Sequence, residues 1–548
     1  MKHFFVILFF SIAFIAPAGA SPWWVFFTDE PGRKPGDTVS AALIERVTET
    51  GAPIRTVSRY FNAVSVEYEG SLAMLAKIPG VREVCPVRSL FRMQRESSFP
   101  PLKKDILSTS VKEGDLSSHP SSFILHPSTV ADSVSRYGVM YDELKMLNIP
   151  AVHSRGYTGK GVEVGILDTG FDKIKETGCL KNVLIARTRN FVRGGEDVSG
   201  DYHGSFVLAC LGGSLEGEYY GPAFNASFLL AVTDNVSTET HTDEDRWMAG
   251  VEWCDSLGAK LISSSLVYNE FDNPADNYRK QDMNGHTSIV ARGAEIAASR
   301  GIVMVNAAGN EGITSWGIIT TPGDAEHVIA IGAVNVVKAG DPIIAAFSSR
   351  GPTADGRIKP DVVAPGFGVY VPTLGTTGFY MMTSGTSLAT PLISGLCALI
   401  LEAHPSWTPV QVMAALKASA RDLGDPGPDN IYGWGLPDAL KVLDYTTTAV
   451  ASGQTAQDGK PASFQLLRPY PNPFNAAVVI PFHLDSPEKV SIDIFDITGR
   501  LVATVWNQPA MPGRHEVRWD GEGCASGVYF VRAAAGNRVE AGKVVMVK

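Results

Sequence analysis

The sequence has little of what nucleic-acid-binding, metal-binding and membrane-spanning proteins need. Its 47 Lys and Arg residues are outnumbered by 57 Asp and Glu residues, the formal net charge is −10, and no basic run interrupts this balance. The six cysteines lie far apart, without a CxxC pair, and three of them (Cys210, Cys254 and Cys397) fall in apolar segments, where we expect buried free thiols. These absences argue against a nucleic-acid partner and a cysteine-based metal centre. Beyond the N-terminal segment, no apolar stretch is long enough for a membrane span.

The first 20 residues have the pattern of a secretory signal peptide. Lys2 and His3 precede an apolar run over residues 4–15, and residues 18–20 (AGA) supply a small-residue cleavage site. The run is shorter than a membrane span requires. We therefore expect residues 1–20 to be removed and the mature protein to be secreted or attached to the cell surface.

The N-terminal part of the remaining chain predicts one small domain and one linker. Residues 21–95 read as an α+β domain, in which Val64, Val66 and Tyr68 alternate with polar residues as in a half-buried strand. Residues 96–136 are rich in Ser, Pro, His and Lys and lack periodicity, which indicates an exposed linker open to proteolytic processing.

Residues 137–445 alternate short apolar runs with segments of helical potential. Four of the runs, ending at small residues, are 162–167, 227–232, 260–263 and 302–305. This alternation predicts an α/β fold with a parallel sheet and helices on both faces. Active sites of such sheets lie at the carboxyl ends of the strands, which is where Asp168 falls.

The C-terminal part is a second linker followed by a β-rich region. Residues 446–465 are dominated by Ala, Ser, Thr, Gly and Gln. In residues 466–548, Val490, Ile492 and Ile494 alternate with polar residues as in a strand with one buried face. A small β-sandwich is the fold that this pattern favours.

Three short motifs supply an aspartate, a histidine and a serine in that chain order. Asp168 lies in residues 165–170 (GILDTG), His203 in 202–205 (YHGS) and Ser387 in 384–391 (SGTSLATP). A serine hydroxyl is a poor nucleophile at neutral pH and needs a base, a role that His203 fits. Asp168 would then hold the imidazole tautomer and stabilise the imidazolium. Asp-His-Ser is the chain order of the subtilisin variant of the serine triad.

Each residue of this set also has a plainer interpretation. Ser387 could be a helix N-cap, and His203 could be a solvated or core histidine. Asp168 belongs to an Asp-Thr-Gly sequence that also occurs in aspartic proteases, but that chemistry needs two carboxylates. The chain has no second Asp-Thr-Gly or Asp-Ser-Gly, so an aspartic protease would have to be a dimer of this long chain.

A fourth motif, residues 306–312 (NAAGNEG), follows an apolar strand and completes a resemblance to the subtilisin-like serine proteases, peptidase family S8. The resemblance covers about residues 137–445. It implies a subtilisin-like fold and a secreted serine endopeptidase acting through an acyl-enzyme, with Asn310 and the Ser387 N–H as the oxyanion hole. Residues 347–353 and 358–366 resemble the scaffold segments of the same family.

The resemblance also implies where substrate binds. Ser265, Leu266 and Val267 correspond to the strand that pairs with extended substrate, and Ala307, Ala308 and Gly309 to the opposite wall of the pocket. The family usually has glycine in place of Val267, which predicts a narrower pocket that favours smaller P1 side chains. It usually has His-Gly-Thr-His around the catalytic histidine, where this chain has Ser205 and Phe206.

The flanking regions resemble accessory domains of secreted proteases. Residues 21–95 resemble inhibitory propeptides, which implies an autoprocessed zymogen whose own propeptide is its inhibitor. Residues 466–548 resemble the sorting domains of the type IX secretion system, which implies the secretion machinery as a partner. The matching sequences are 470–475 (YPNPFN), 495–500 (FDITGR), 526–531 (SGVYFV) and 543–548 (KVVMVK).

A different class of function remains open at this stage, a catalytically inactive subtilisin fold that serves as a surface binding module. Within the protease class, a processing enzyme with one dedicated protein or peptide substrate is also open. The chemistry requires no cofactor, whereas a structural calcium ion is conceivable without an assignable ligand set. We expect Asp243-Glu244-Asp245 to be acidic surface rather than metal ligands.

Overall fold

The computed structural model describes residues 21–86, 136–445 and 464–547, with short gaps at 29–32, 69, 71, 468, 470–471, 473, 476, 485–486, 498–499, 512, 522 and 537. The described residues form two compact units that separate between Tyr445 and Thr446. The expected signal peptide, almost all of both expected linkers and the expected processing site lie outside the described residues.

The N-terminal domain is a four-stranded antiparallel sheet with two helices. Its elements are β1 (Ser21–Phe27), α1 (Ala41–Thr48), β2 (Ile54–Ser58), β3 (Ala63–Tyr68), α2 (Leu72–Ala76) and β4 (Val81–Pro86). The strand order is β2-β3-β1-β4. Val64 and Val66 of β3 lie in the apolar core beneath the helices.

The prediction of a half-buried strand at β3 is wrong for its polar face. Ser65, between Val64 and Val66, is also fully buried. Its hydroxyl donates a hydrogen bond of 2.6 Å to Asp245 Oδ2 of the following domain. Both faces of the strand are therefore covered, because a second domain packs where solvent was expected.

The second domain contains ten strands and eight α-helices in its described residues. The strands are β5 (Glu163–Asp168), β6 (Leu184–Asn190), β7 (Ser214–Leu215), β8 (Tyr219–Tyr220), β9 (Ser227–Val232), β10 (Leu261–Ser264), β11 (Val303–Ala307), β12 (Val328–Asn335), β13 (Val362–Pro372) and β14 (Tyr380–Ser384). The helices are α3 (Tyr141–Met146), α4 (Ile149–His153), α5 (His203–Gly212), α6 (His241–Ser256), α7 (Ile289–Ser299), α8 (Thr386–Ala403), α9 (Pro409–Ser419) and α10 (Ala439–Leu443).

The central sheet has eight strands in the order β14-β13-β12-β11-β10-β5-β9-β6. Neighbouring strands are parallel, except that β14 pairs antiparallel with β13. Alternate residues of the strands point to opposite faces. Ile166 packs in the apolar cluster that contains α5 and α8, whereas Leu167 packs in the cluster that contains α6 and α7. The predicted parallel sheet with helices on both faces is confirmed.

Helix α8 is the central helix of this domain. Of the described helices it alone is long and apolar enough to cross a membrane by length and composition, and 83% of its apolar window is buried inside the protein. It packs on the sheet through β10, β11, β12 and β13. The burial identifies it as a core helix, so its first residues are held in a fixed position at the sheet edge.

The N-terminal domain packs against helices α6 and α7. Trp24, Phe26 and Phe61 share one apolar cluster with Trp247 of α6 and Ala294 of α7. At the periphery of this contact, the Arg292 guanidinium lies 5.0 Å from the centre of the Phe61 ring.

Asp243, Glu244 and Asp245 are fully buried, so the expectation of acidic surface is wrong. Each carboxylate has a partner from another turn or another domain. Asp243 pairs with Arg246 at 2.6 Å, Glu244 with His241, and Asp245 with Arg55 of the N-terminal domain at 3.1 Å. The partner of Asp245 and the second partner of Glu244 could not be recognised from sequence, since Arg55 and Tyr278, which donates to Glu244 at 2.8 Å, are distant along the chain.

The C-terminal unit is a sandwich of two antiparallel sheets. Its strands are β15 (Phe464–Leu466), β16 (Ala477–Leu484), β17 (Glu488–Asp496), β18 (Leu501–Ala510), β19 (Gly513–Asp520), β20 (Gly527–Ala535) and β21 (Arg538–Met546). One sheet has the order β15-β16-β19 and the other β18-β17-β20-β21. Val490, Ile492 and Ile494 are buried between them, as the alternation predicts.

All six cysteines are unpaired. Cys85, Cys179, Cys210, Cys254 and Cys397 are buried, and Cys524 is partly exposed. Burial raises the pKa of the Cys85 and Cys210 thiols to about 12. The expectation of buried free thiols is confirmed for Cys210, Cys254 and Cys397.

Candidate active site

Asp168 is the last residue of β5, at the carboxyl edge of the parallel sheet. Its side chain is completely buried, and its Oδ1 atom lies 2.7 Å from His203 Nδ1. The same Oδ1 accepts a hydrogen bond from the Thr169 N–H at 2.8 Å. These contacts fix the carboxylate, and the short bond to Nδ1 orients the ring of His203.

His203 is the first residue of α5, and its backbone N–H donates to Asp201 Oδ1 at 2.9 Å. Gly204 allows this helix to begin close to the end of β5, since a Cβ there would lie 2.4 Å from the Gly170 carbonyl oxygen. Burial lowers the pKa of His203. The Asp168 carboxylate raises this pKa by a larger amount, so the net pKa lies above the usual value. About one third of the imidazole side chain, 32%, is exposed.

Ser387 is the second residue of α8, and α5 packs against this helix. Its hydroxyl donates a long hydrogen bond of 3.4 Å to the Ser265 carbonyl, and Ser265 Oγ donates to the Ser387 carbonyl at 3.0 Å. Among the described residues, no hydrogen bond joins Ser387 to His203. Such contacts are often loose without substrate. Gly385 occupies the N-cap position, so Ser387 does not cap the helix.

Asn310 lies beside the start of α8. Its Oδ1 atom accepts hydrogen bonds from the Thr386 N–H and the Thr386 hydroxyl, both at 2.9 Å. A backbone N–H requires an acceptor, so the amide oxygen must face Thr386 and the amide nitrogen must face away from it. Asn310 therefore has an oriented donor next to Ser387.

The two expected substrate-binding segments follow β10 and end β11. Ser265 and Leu266 are buried and Val267 is partly exposed. On the other segment, the Ala308 N–H donates to Ile331 and the Gly309 carbonyl accepts from the Ser349 N–H at 2.9 Å. Gly309 has φ +106°, and a Cβ there would lie 2.7 Å from both Ser349 Oγ and Thr320 Oγ1. These bonds hold the segment that begins at Ala307 in place before any substrate binds.

The two residues near His203 that differ from the usual family sequence pack well in this structure. Ser205 is buried, and its hydroxyl donates to the Asp172 carbonyl at 2.7 Å. Phe206 packs on Tyr202, with ring centres 5.3 Å apart. The scaffold segment 358–366 is anchored to β12, since the Ala330 N–H donates to Asp361 Oδ2 at 2.8 Å and Lys359 Nζ donates to the Val328 carbonyl at 2.6 Å.

Sequence reasoning missed three residues that position the site. The Thr169 N–H donates to Asp168 Oδ1 and the Thr169 hydroxyl donates to Asp201 Oδ1 at 2.6 Å, which ties the carboxylate to the start of α5. Thr386 orients the Asn310 amide. Thr169 and Thr386 each adjoin a catalytic candidate in its motif, and Asp201 stands two residues before His203, so motif proximity could have drawn attention to them.

Two family models match this chain. That of the subtilase family matches residues 159–435. That of the secretion system C-terminal sorting domain matches residues 468–548. The first model therefore spans most of the domain that carries the candidate site, and the second spans most of the C-terminal sandwich.

Several curated proteins are similar to the same region. Serine protease AprX of Bacillus subtilis is 34% identical over 311 residues, which cover 52% of this chain and 66% of that protein. Subtilisin of Bacillus pumilus is 31% identical over 302 residues, which cover 54% of this chain and 94% of that protein.

One solved structure has a similar fold over a larger part of the chain. Fervidolysin from Fervidobacterium pennivorans, described as a keratinolytic enzyme related to subtilisin, superposes with a TM-score of 0.56 at 17% identity. The alignment covers 94% of this chain and 70% of that one. At this identity the likeness concerns the fold.

Proposed function

Because the chain belongs to the subtilase family of serine proteases, we propose that it hydrolyses peptide bonds with a triad of Asp168, His203 and Ser387. The observation that carries the assignment is the 2.7 Å contact between Asp168 Oδ1 and His203 Nδ1 at the edge of the parallel sheet. This contact leaves Nε2 of the imidazole as the nitrogen that accepts a proton.

The reaction proceeds in two half-reactions. His203 Nε2 takes the proton of the Ser387 hydroxyl while Oγ attacks the scissile carbonyl carbon, which gives a tetrahedral intermediate. His203 then returns the proton to the leaving amine, the C–N bond breaks, and the acyl group stays on Ser387. A water molecule repeats the sequence and releases the acid. Asp168 stabilises the imidazolium in both halves, as the raised pKa of His203 indicates.

The developing oxyanion is stabilised by Asn310 Nδ2 and the Ser387 N–H. Both donors lie at the N-terminus of α8, where the helix dipole also favours negative charge. In the described part of the chain, no group of three or more His, Cys, Asp or Glu side chains is arranged to hold a metal ion, and a structural calcium ion enters no step.

Replacing Asn310 by alanine is expected to lower kcat by roughly 10²–10³-fold with little change in KM, because its amide acts on the transition state. Steady-state kinetics on a peptide amide measure both constants. Asn310→Asp is the matched variant, since it keeps the acceptor for Thr386 and removes the donor. A loss below about threefold in Asn310→Ala would remove Asn310 from the oxyanion hole.

The N-terminal domain acts in this proposal as an inhibitory propeptide that the enzyme itself removes. Its hold on the peptidase domain is specific, since the Glu252 carboxylate of α6 accepts bonds from the Ser58 hydroxyl at 2.6 Å and the Arg59 N–H at 2.8 Å. Asp245, also on α6, pairs with Arg55 and accepts from Ser65. Peptide and protein substrates therefore reach the active site only after this domain has been cleaved off and has dissociated. Val267, in place of the family's usual glycine, is the basis for the proposed preference for smaller P1 side chains.

The C-terminal unit is a type IX sorting domain, which indicates that the protein is secreted and reaches the cell surface. Asn472, which lies in the first sorting sequence, is bound to the last strand of this domain. Asn472 Nδ2 donates to the Lys543 carbonyl at 2.9 Å, and the Val545 N–H donates to Asn472 Oδ1 at 2.7 Å. We propose the secretion machinery as the partner that binds this C-terminal domain.

Labelling with a fluorophosphonate probe tests the assigned nucleophile. In the propeptide-free protein we expect covalent modification of Ser387, located by mass spectrometry, and loss of the label in His203→Ala. Labelling requires an activated serine, so an inactive surface binding module gives no adduct even when folded. A folded, propeptide-free sample that stays unlabelled at Ser387 would favour the binding module.

A further inference from the structure

Five carboxylates gather between the end of β9 and the start of α6. This acidic cluster consists of Asp234, Glu239, Asp243, Glu244 and Asp272. The Asn235 N–H donates to Asp243 Oδ1 at 3.3 Å, and the Glu239 N–H donates to Asp272 Oδ2 at 3.0 Å, which folds the connecting loop onto the helix start. The cluster is therefore built by several chain segments and does not arise from one acidic run.

Two members of the cluster lack a positive partner. Asp243 pairs with Arg246 at 2.6 Å, and Glu244 pairs with His241 and accepts from Tyr278. Asp234 and Glu239 form no ion pair with any residue that the structure describes. The negative charge of the cluster is thus only partly balanced within the described chain.

The electrostatics reflect this imbalance. Burial and then the charge of Asp243 raise the pKa of Asp234 to about 7. Burial and then the charges of Asp234 and Asp243 raise the pKa of Glu239 to about 9. A cation placed between Asp234 and Glu239 would relieve this repulsion, because opposite charge favours the ionised carboxylates.

A second observation independently indicates a missing partner. Asp234 is 9% exposed, and its Oδ1 atom has no hydrogen-bond partner among the described residues; the same is true of Thr233 Oγ1 and of the hydroxyl of Tyr268. Thr233 and Tyr268 are fully buried. Buried polar atoms are nearly always paired. The Tyr268 phenol lies within the field of the cluster, since burial first and Asp234 next raise its pKa.

The cluster also adjoins the proposed catalytic residues. Tyr268 directly follows Ser265, Leu266 and Val267, the segment proposed to pair with substrate. The charge of Asp234 contributes to the raised pKa of His203, and the charge of Asp168 contributes to that of Asp234. A substrate bound along this segment would lie beside Tyr268, whose phenol is within the field of the cluster.

We propose that Asp234 and Glu239 form a subsite that binds a lysine or arginine side chain of the substrate on the N-terminal side of the scissile bond. The proposal rests on the peptidase function proposed above and adds a substrate class to it. The cationic head group pairs with the two carboxylates, and its N–H groups donate to their oxygens, including the unpartnered Asp234 Oδ1. Charge-assisted hydrogen bonds of this kind are the strong ones.

The chain itself contains basic residues of the kind that this subsite would bind. The sequence that follows β4 and precedes the peptidase domain, residues 87–136, carries Arg88, Arg92, Arg95, Lys103 and Lys104. Self-processing at this region would place basic side chains upstream of a cleaved bond. The sequence of the mature N-terminus therefore gives a second readout of the same preference.

The test is a set of peptide substrates that differ only at P2, P3 or P4, where lysine or arginine is compared with uncharged norleucine. For the wild-type enzyme we expect kcat/KM to be roughly 10–100-fold higher with the basic residue at one of these positions. Glu239→Gln should lower that ratio about tenfold, and Asp234→Asn should do so independently. Asp425→Asn, which changes an exposed carboxylate elsewhere, should leave the ratio unchanged.

Glu239→Gln keeps the proposal testable if Asp234→Asn fails to fold, because Glu239 is only partly buried. Two results would overturn the subsite: equal kcat/KM for basic and norleucine peptides, or a ratio of these two values that Glu239→Gln leaves unchanged. Hydrolysis of the norleucine peptides would still support the proposed peptidase function. Failure of every peptide, together with no fluorophosphonate labelling of Ser387, would overturn both. A calcium-dependent rise in the unfolding temperature that Glu239→Gln abolishes, without a change in the ratio, would assign the cluster to a metal ion and overturn the subsite.

Discussion

Alanine at position 387 is expected to lower kcat by roughly 10⁶-fold, the size of loss that removing the serine of a subtilisin triad causes. Without Oγ there is no acyl-enzyme, and only oriented binding and the oxyanion donors remain to accelerate hydrolysis. The same substitution should leave the precursor uncleaved between the N-terminal and peptidase domains, because the proposed processing is by the enzyme itself. Peptide hydrolysis and the mass of the purified chain measure the two effects.

Stability separates this result from a structural role of Ser387. Its hydroxyl caps no backbone group of α8, so Ser387→Ala should leave the free energy of unfolding nearly unchanged. Thr408→Ala is the matched control, since Thr408 caps α9 through the Gln411 N–H and its loss should cost about 1 kcal/mol without affecting hydrolysis. A processed chain in Ser387→Ala would show that another protease removes the N-terminal domain.

Asparagine at position 168 is expected to lower kcat by about 10⁴-fold while the fold is retained. The amide has nearly the shape of the carboxylate, but it stabilises the wrong tautomer of His203 and offers no charge to the imidazolium. The 2.7 Å contact to Nδ1 is the interaction that the substitution alters. Steady-state kinetics of the propeptide-free variant, with circular dichroism as the check on folding, measure the loss.

The pH dependence gives Asp168→Asn a second signature. The enzyme requires neutral His203, so kcat/KM rises as pH increases through the pKa of this residue. The Asp168 carboxylate raises that pKa by favouring the charged imidazole. Removal of the negative charge should therefore move the acidic limb of the profile to lower pH while the plateau falls. An acidic limb that stays in place, or moves to higher pH, would contradict the proposed role of Asp168.

Most of the site residues that could be predicted from the sequence lie in short local motifs. Asp168, His203 and Ser387 stand at a strand end and two helix starts, positions that short stretches of sequence define. Their partners are harder to infer, since the orientation of the Asn310 amide depends on one bond to Thr386. The alternation in β17 predicts its buried face correctly because both the pattern and the packing lie within one domain.

Predictions failed where one segment is covered by another that is distant along the chain. Ser65 of β3 is polar and was expected to face solvent, yet α6 of the next domain covers it. Asp243 pairs with Arg246 of its own helix, but Glu244 and Asp245 are covered by Tyr278 and Arg55, which are distant along the chain. Charge alone does not reveal burial when the compensating groups are remote in sequence.

The unpaired cysteines make this fold independent of the redox state of its surroundings. No disulfide contributes to its stability, so thiol reductants remove no cross-link from it. The reactive form of cysteine is the thiolate, and burial holds the pKa of Cys210 at about 12, far above neutral pH. The five buried cysteines are therefore held in the unreactive thiol form in this exported enzyme.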